Sequence, residues 1–341
     1  MHPILKVLYH IAMGAIGKKS YRFPMGVYIY LTFRCNLRCS YCDGGSGEKF
    51  PLMKRSELSI EQWRSIFTTL HKHTDFLLLS GGEPLMYEKI IDILRVARET
   101  GFKFISLNTN GLLLTPEVIE AVDAIIISLD SLDREKSDRL WNREGATDRV
   151  LKVLVELAQR RNPSIMVNSV ILNENIDDVA DVMEFCGKHG ITFSAGPALD
   201  KVRPIPGLKG NRRYHALIDK ILKAKRAGYR IAATIDYLRA VKHFQPFDCH
   251  PLLVWRVYPD GNLLFPCSRM NSTAGNLLET PDPIALFKKA SGGEYFEINC
   301  GENCPLSCYM DTSHMIHRPL GLLREGLYRM HTFSQGHRLV Y

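Results

Sequence analysis

Short apolar runs alternate with stretches of helical periodicity along residues 25–200, and no other feature narrows the choice of fold as far. Residues 27–33, 76–79, 102–107, 124–129, 165–172 and 191–195 read as strands, and 60–71, 88–100, 116–121, 148–160 and 176–189 as helices between them. Repeated strand–helix units with right-handed crossovers curl a parallel sheet into a barrel or part of one. Chemistry in such a fold gathers at the C-terminal ends of the strands. Polar clusters fall there. Cys35, Cys39 and Cys42 follow the first strand, Ser80 to Pro84 the second, Asn108-Thr109-Asn110-Gly111 the third, and Ser128-Leu129-Asp130-Ser131 the fourth. Asn168 lies on the fifth, and Gly196-Pro197 turns out of the sixth.

The cysteines decide what that chemistry is. Nine is an odd count, and 341 residues bury an ample core without staples, so a disulfide framework is not expected. Cys35-Asn36-Leu37-Arg38-Cys39-Ser40-Tyr41-Cys42 offers three thiolates in a row with no histidine at ligand spacing. Structural zinc is normally closed by four ligands arranged in short pairs. Three thiolates instead leave one iron of a [4Fe–4S] cube open for a ligand.

That spacing, Tyr41 before the third cysteine, and Gly81-Gly82-Glu83-Pro84 beyond it together resemble the radical S-adenosylmethionine (SAM) superfamily. The resemblance implies an α/β fold built as a partial (βα)6 TIM-like barrel. It also implies a cluster on Cys35, Cys39 and Cys42 whose open iron chelates the amino and carboxylate groups of SAM. Reductive cleavage to a 5′-deoxyadenosyl radical would follow, with the protein supplying orientation and shielding. By resemblance, Gly81, Gly82, Glu83 and Pro84 hold the methionyl amino group, and the consecutive glycines let backbone approach a ligand. Ser128 and Asp130 resemble contacts to the carboxylate or ribose, and the Tyr41 backbone is expected to meet adenine. Asn108, Asn110 and Asn168 join the cofactor-binding set, and Arg143, in a compressed Arg143-Glu144-Gly145 turn, is a candidate partner for the SAM carboxylate.

A second group of cysteines marks the C-terminal region. Cys249 and Cys267 bracket a hairpin pattern turning at Asp260-Gly261, and Cys300, Cys304 and Cys308 follow. With Gly275-Asn276-Leu277 between them, they resemble the SPASM or twitch extension of the same superfamily. One auxiliary [4Fe–4S] cluster is expected, on Cys249, Cys267 and two of the three late cysteines; four thiolates also suit tetrahedral zinc. Cys186, in a helical pattern, reads as a buried apolar filler. The expected organisation is a lead-in helix at 1–24, a barrel at 25–200, a basic connector at 201–248 and a small iron–sulfur domain at 249–341.

Composition places the chain in the reducing cytoplasm, since no apolar run is long enough to span a bilayer and no signal-peptide pattern opens it. The net charge is +8, concentrated between Lys201 and Lys242, a run that is a solvated helix face or an attractor of anionic surfaces. Apolar stripes flank basic residues at both ends: Ile4, Leu8, Ile11 and Ala15 before Lys18, and Leu320, Leu322, Leu323, Leu327 and Met330 beside Arg324. The first of these loosely resembles adenosylhopane synthase-like radical SAM enzymes. The substrate expectation therefore leans to a lipid or isoprenoid reached through an apolar tunnel, with a peripheral position on the inner membrane face. The alternatives are a SPASM-type maturase of a ribosomal peptide, for whose leader-binding domain the lead-in leaves no room although such a domain can be a separate protein, and a non-enzymatic iron–sulfur electron carrier. A flavodoxin- or ferredoxin-type reductant is expected as partner. Nucleic acid is not, because few aromatics interleave the basic run.

Overall fold

The computed structural model describes residues 2–42, 56–160, 162–270, 272–298, 304–321, 324–326 and 328. Helix α1 (Pro3–Ala15) leads into strand β1 (Gly26–Thr32). Five further units follow: α2 (Ile60–His71) and β2 (Phe76–Gly81), α3 (Ile90–Glu99) and β3 (Phe104–Thr109), α4 (Pro116–Ala121) and β4 (Ala124–Ser128), α5 (Arg134–Trp141) with α6 (Ala146–Ala158) and β5 (Ser164–Ile171), and α7 (Ile176–His189) and β6 (Thr192–Pro197). All six strands pair in parallel with their sequence neighbours. The sheet curls but stays open, because β6 is a sheet edge.

Alternation along each strand separates two layers. Val27, Ile29, Leu77, Leu79, Ile105, Leu107, Ile125, Ile127 and Val167 are wholly buried and face the helices in the main core, with Trp63, Phe67 and Ile93. Tyr28, Tyr30, Leu78, Ser80, Ile126, Met166 and Asn168 take the other face and line a central chamber. Helix starts follow local chemistry. Ser59 and Gln62 form a reciprocal capping box on α2, and Thr115 and Asp133 cap α4 and α5.

One sequence expectation shifts, and two features lie beyond the sequence reading. The third strand begins at 104 rather than 102, because Gly101 turns the chain at φ +110° and the Lys103 and Phe104 amides both donate to Asp75 O. Helix α5 was not anticipated; its sequence is almost wholly polar, so only Leu140 and Trp141 mark an apolar face. The cysteine-bearing region contributes strands to the same sheet. Strands β9 (Val254–Val257), β10 (Asn262–Leu264) and β11 (Thr273–Asn276) extend the barrel sheet, β9 pairing in parallel with β1 from Gly26↔Val254 to Ile29↔Val257. Two short strands, β7 (Leu199–Asp200) and β8 (Arg203–Pro204), form a separate ribbon.

The basic connector is helices α8 (Arg212–Arg226) and α9 (Ile235–Lys242). Much of its charge is already engaged: Arg213 pairs with Asp177, Lys220 with Glu184, Lys242 with Asp219, and buried Lys225 with Glu325. Helix α1 is inverted relative to a simple amphipathic helix. It buries Lys6, whose Nζ donates to Pro24 O at 2.8 Å and His73 O at 2.6 Å, and His10, while Ile4, Leu5, Leu8 and Ile16 face outward. Of the C-terminal stripe, Leu320 is exposed, and Leu322, Leu323, Leu327 and Met330 lie outside the described residues. Helices α10 (Pro283–Ser291) and α11 (Ser307–His317) follow.

Candidate cofactor and substrate site

The cysteine loop leaves β1 and is held from three sides. The Gly82 N–H donates to Thr32 O and the Glu83 N–H to Arg34 O, each at 2.8 Å, so the loop after β2 is zipped to the start of the cysteine loop. A β-carbon on Gly81 would stand 2.3 Å from Thr32 O, and one on Gly82 2.3 Å from Arg34 O. These glycines are therefore required by the meeting of two backbone segments, and both also line the cavity beside the cysteines. On the far side the Arg38 and Ser40 amides donate to Trp141 O and Leu140 O at the end of α5. Arg34 closes the third side with a fork onto Glu57, at 2.9 and 3.0 Å, and Thr32 also donates to Glu57.

Cys35, Cys39 and Cys42 line a cavity of about 180 Å³ together with Gly81, Gly82, Glu83, Asn108, Asn110 and Ser128. Burial pushes the Cys35 thiol up, and burial with the Asp130 carboxylate and the neighbouring sulfurs pushes Cys39 up much further. Assembly of a thiolate-bound group would therefore release protons. Among the described residues no three His, Cys, Asp or Glu side chains close on a common metal-ion position. The three sulfurs stand around a space instead, with polar groups along one side. That donor set fits an iron–sulfur cluster with a small polar ligand beside it.

Glu83 spans the strand ends. Its Oε1 accepts from Thr109 Oγ1 at 2.6 Å and Leu85 N at 3.1 Å, and its Oε2 from Asn110 N at 2.8 Å. Burial nevertheless raises its pKa to about 7, because three donors offset only part of the desolvation. Asn110 donates to Asn36 Oδ1 at 2.6 Å, fixing the cysteine loop, and Asn108 donates to Ser80 Oγ at 3.3 Å. Pro84 is buried at the start of a short 3₁₀ turn, behind the cavity wall.

Two proposed ligand contacts are placed elsewhere. Asp130 lines neither cavity: it is wholly buried, its Oδ1 accepting from Val170 N at 2.7 Å and its Oδ2 from Tyr41 and Trp141. Arg143 is exposed and donates to Asn36 O at 2.9 Å, so its guanidinium steadies the cysteine loop from outside. Trp141 and Glu57 were missed from the sequence. Neither sits in a motif, and the only signal for Trp141 was the capping Asp133 ahead of α5.

Deeper in the barrel lies a chamber of about 410 Å³. Tyr41, Cys42, Asn108, Ser128 and Val170 border both spaces, so the two adjoin. Ser80 and Asn168 add polar groups, Tyr28, Tyr30, Phe33 and Tyr258 aromatic walls, and Arg256, Arg269 and Cys308 the side contributed by the C-terminal segment. Cys267 and Cys304 pack together with Cys249, Cys308, Leu199 and Tyr309. Burial raises the Cys304 pKa to about 11. Four thiols thus gather here, which fits one auxiliary cluster; Cys300 lies outside the described residues. Cys186 is buried on α7, remote from both groups of cysteines in the sheet order.

The comparisons agree with this geometry. Residues 29–186 match the model of the radical SAM superfamily. The chain is 29% identical over 267 residues to the sporulation killing factor maturation protein SkfB of Bacillus subtilis, covering 75% of this chain and 63% of that protein, less than two thirds of its length. It is 28% identical over 307 residues to the AdoMet-dependent heme synthase of Methanosarcina barkeri, covering 80% and 86%. In fold it is similar to Streptococcus suis SuiB bound to its precursor peptide SuiA, with a TM-score of 0.59 and 17% identity over 77% of this chain and 63% of that one. The matched model, the cysteine loop at the end of β1 and the polar strip along the next strand ends identify residues 29–186 as a radical SAM domain.

Proposed function

We propose that this protein is a radical SAM enzyme that modifies a peptide, with the reaction in the chamber bordered by Cys42 on one side and Cys308 on the other. The observation that carries the reading is that single chamber, reached from both groups of thiols. A [4Fe–4S] cluster on Cys35, Cys39 and Cys42 would supply the electron that cleaves SAM. The chain's own residues do the rest. Glu83 offers a carboxylate to an ammonium, Asn108 and Ser128 offer polar groups at the junction of the two spaces, and Tyr41 packs beside the third cysteine.

A peptide is favoured over a lipid on two grounds. The lipid reading expected an apolar tunnel near the termini, whereas the chamber wall mixes aromatic rings with Arg256, Arg269, Ser268, Asn108 and Asn168. SkfB is a maturation protein and SuiB binds a precursor peptide. No helix among the described residues is long and apolar enough to cross a membrane. The outward apolar face of α1 favours a peripheral membrane contact as a second reading. Cosedimentation with anionic vesicles, lost in Leu5→Glu/Leu8→Glu, would support it, and equal recovery of both proteins in the supernatant would exclude it.

The test is anaerobic reconstitution with iron and sulfide, followed by 5′-deoxyadenosine release from SAM under dithionite, with a peptide digest or a lipid extract added. About eight irons per chain, turnover abolished in a Cys35/Cys39/Cys42→Ala variant, and stimulation by peptide are expected. Stimulation by lipid alone would return the first-favoured substrate. Full iron loading with neither turnover nor SAM binding would favour an electron carrier.

A further inference from the structure

Arg256 is 4% exposed and sits in the chamber wall, yet no carboxylate among the described residues forms an ion pair with it. Its Nη1 donates to Val254 O and its Nη2 to the sulfur of Cys308, both at 3.1 Å. The guanidinium lies against the ring of Tyr309 at 4.2 Å and that of Tyr28 at 5.1 Å. All these partners are neutral groups or thiols. A buried cation held only by neutral partners is costly, so the site calls for negative charge in the assembled protein. The side-chain acceptor already aimed at is Cys308, which packs with Cys249, Cys267 and Cys304.

We propose that Arg256 is the counter-charge and N–H···S donor of the auxiliary cluster on these cysteines, and that it holds the reduction potential of that cluster up. The proposal rests on the auxiliary-cluster reading above. Reduction adds negative charge to the cluster, so a fixed cation and a hydrogen bond to a ligand sulfur stabilise the reduced form more than the oxidised one. Arginine suits the position: it keeps its charge under burial, and its planar fork serves the strand carbonyl, the sulfur and two aromatic faces together. It acts through Cys308 and is a positioning residue. The competing reading, an anchor for an anionic substrate group, draws on its place in the chamber wall; the sulfur contact favours the cluster.

The experiment uses the full chain carrying Cys35/Cys39/Cys42→Ala, so that auxiliary iron alone is seen, reconstituted and titrated potentiometrically with detection by electron paramagnetic resonance. Arg256→Gln is expected to shift the midpoint to more negative potential. At the midpoint of the parent, its reduced-to-oxidised ratio should fall about tenfold, equivalent to 59 mV for one electron. An unchanged midpoint at equal iron content would overturn the proposal, and if the same substitution in the active enzyme raises KM for peptide alone, Arg256 is a substrate anchor. Absence of iron from the parent would overturn the auxiliary-cluster reading and this proposal with it. Should Arg256→Gln fail to fold, ¹⁵N-arginine labelling of the parent decides: ¹⁵N modulation in the pulsed signal of the reduced cluster is expected, and its absence overturns the assignment.

Discussion

Trp141 donates its indole N–H to Asp130 Oδ2 at 2.9 Å, and the Tyr41 hydroxyl donates to the same oxygen. One buried carboxylate thereby ties the end of α5 to the residue before Cys42. Asp130→Asn keeps the volume but sets an amide N–H against one of three donors, since Val170 N already takes the other oxygen. Leaving a buried donor unsatisfied costs about 1 to 3 kcal/mol. Urea denaturation should show that loss, and the variant should retain less iron at the first cluster. Trp141→Phe, which removes one donor and leaves no new clash, should cost about 1 kcal/mol.

Gly82 has no room for a side chain, because its β-carbon would fall 2.3 Å from Arg34 O and 2.7 Å from Phe33 O. Gly82→Ala must spread the cysteine loop from the end of β2, breaking the bonds from the Gly82 and Glu83 amides. The expected loss is about 3 kcal/mol, the upper end for overpacking against backbone that cannot move alone. Thermal unfolding of the metal-free protein measures it. A melting temperature within a degree of wild type would mean that the two segments do not meet as described.

What the sequence disclosed, and what it hid, follows from the range of each signal. The six parallel strands were legible because Val27, Leu77, Ile105, Ile125 and Val167 belong to continuous apolar runs, and their polar ends were legible because the runs stop there. Helix α5 was hidden since its stability comes from Asp133 capping and from Trp141 meeting Asp130, a contact between residues whose polarity pointed elsewhere. The same contact explains why Asp130 reads as a ligand residue in the sequence and as a buried support in the fold. The joining of β9 to β1 was also out of reach, because pairing between Gly26 and Val254 leaves no local periodicity. Arg256 showed nothing in the sequence to separate it from a surface arginine.

His10 makes the docking of α1 sensitive to acid. Burial lowers its pKa from 6.5 to about 4, and the same cause lowers His250, whose ring lies 5.1 Å from it. A histidine held neutral in the fold binds its proton more readily when unfolded. Its stabilisation is complete above about pH 6.5 and is lost as pH falls toward 4, by about 3 kcal/mol for His10. Glu83, raised to about 7, works in the opposite direction across the same window. The useful measurement is therefore the difference in unfolding free energy between wild type and His10→Phe. Wild type should lose stability relative to the variant between pH 6.5 and 4, and a flat difference would refute the assignment.

Lys225 and Glu325 form a buried pair at 2.9 Å, with the ammonium also donating to Ile231 O at 3.0 Å and lying over the Tyr328 ring at 3.7 Å. The pair fastens the C-terminal stretch to helix α8 through side chains that are essentially inaccessible. Lys225→Met removes the cation while Glu325 stays in a dry site, and such half-broken pairs lose about 3 to 5 kcal/mol. Lys225→Met combined with Glu325→Leu replaces both charges by apolar groups of similar size, and should recover most of that loss, because desolvation and attraction nearly cancel in an intact buried pair. A double-mutant cycle in urea measures the coupling. Additive losses would show that the two side chains do not act as a pair, and that the C-terminal stretch is held by its apolar contacts instead.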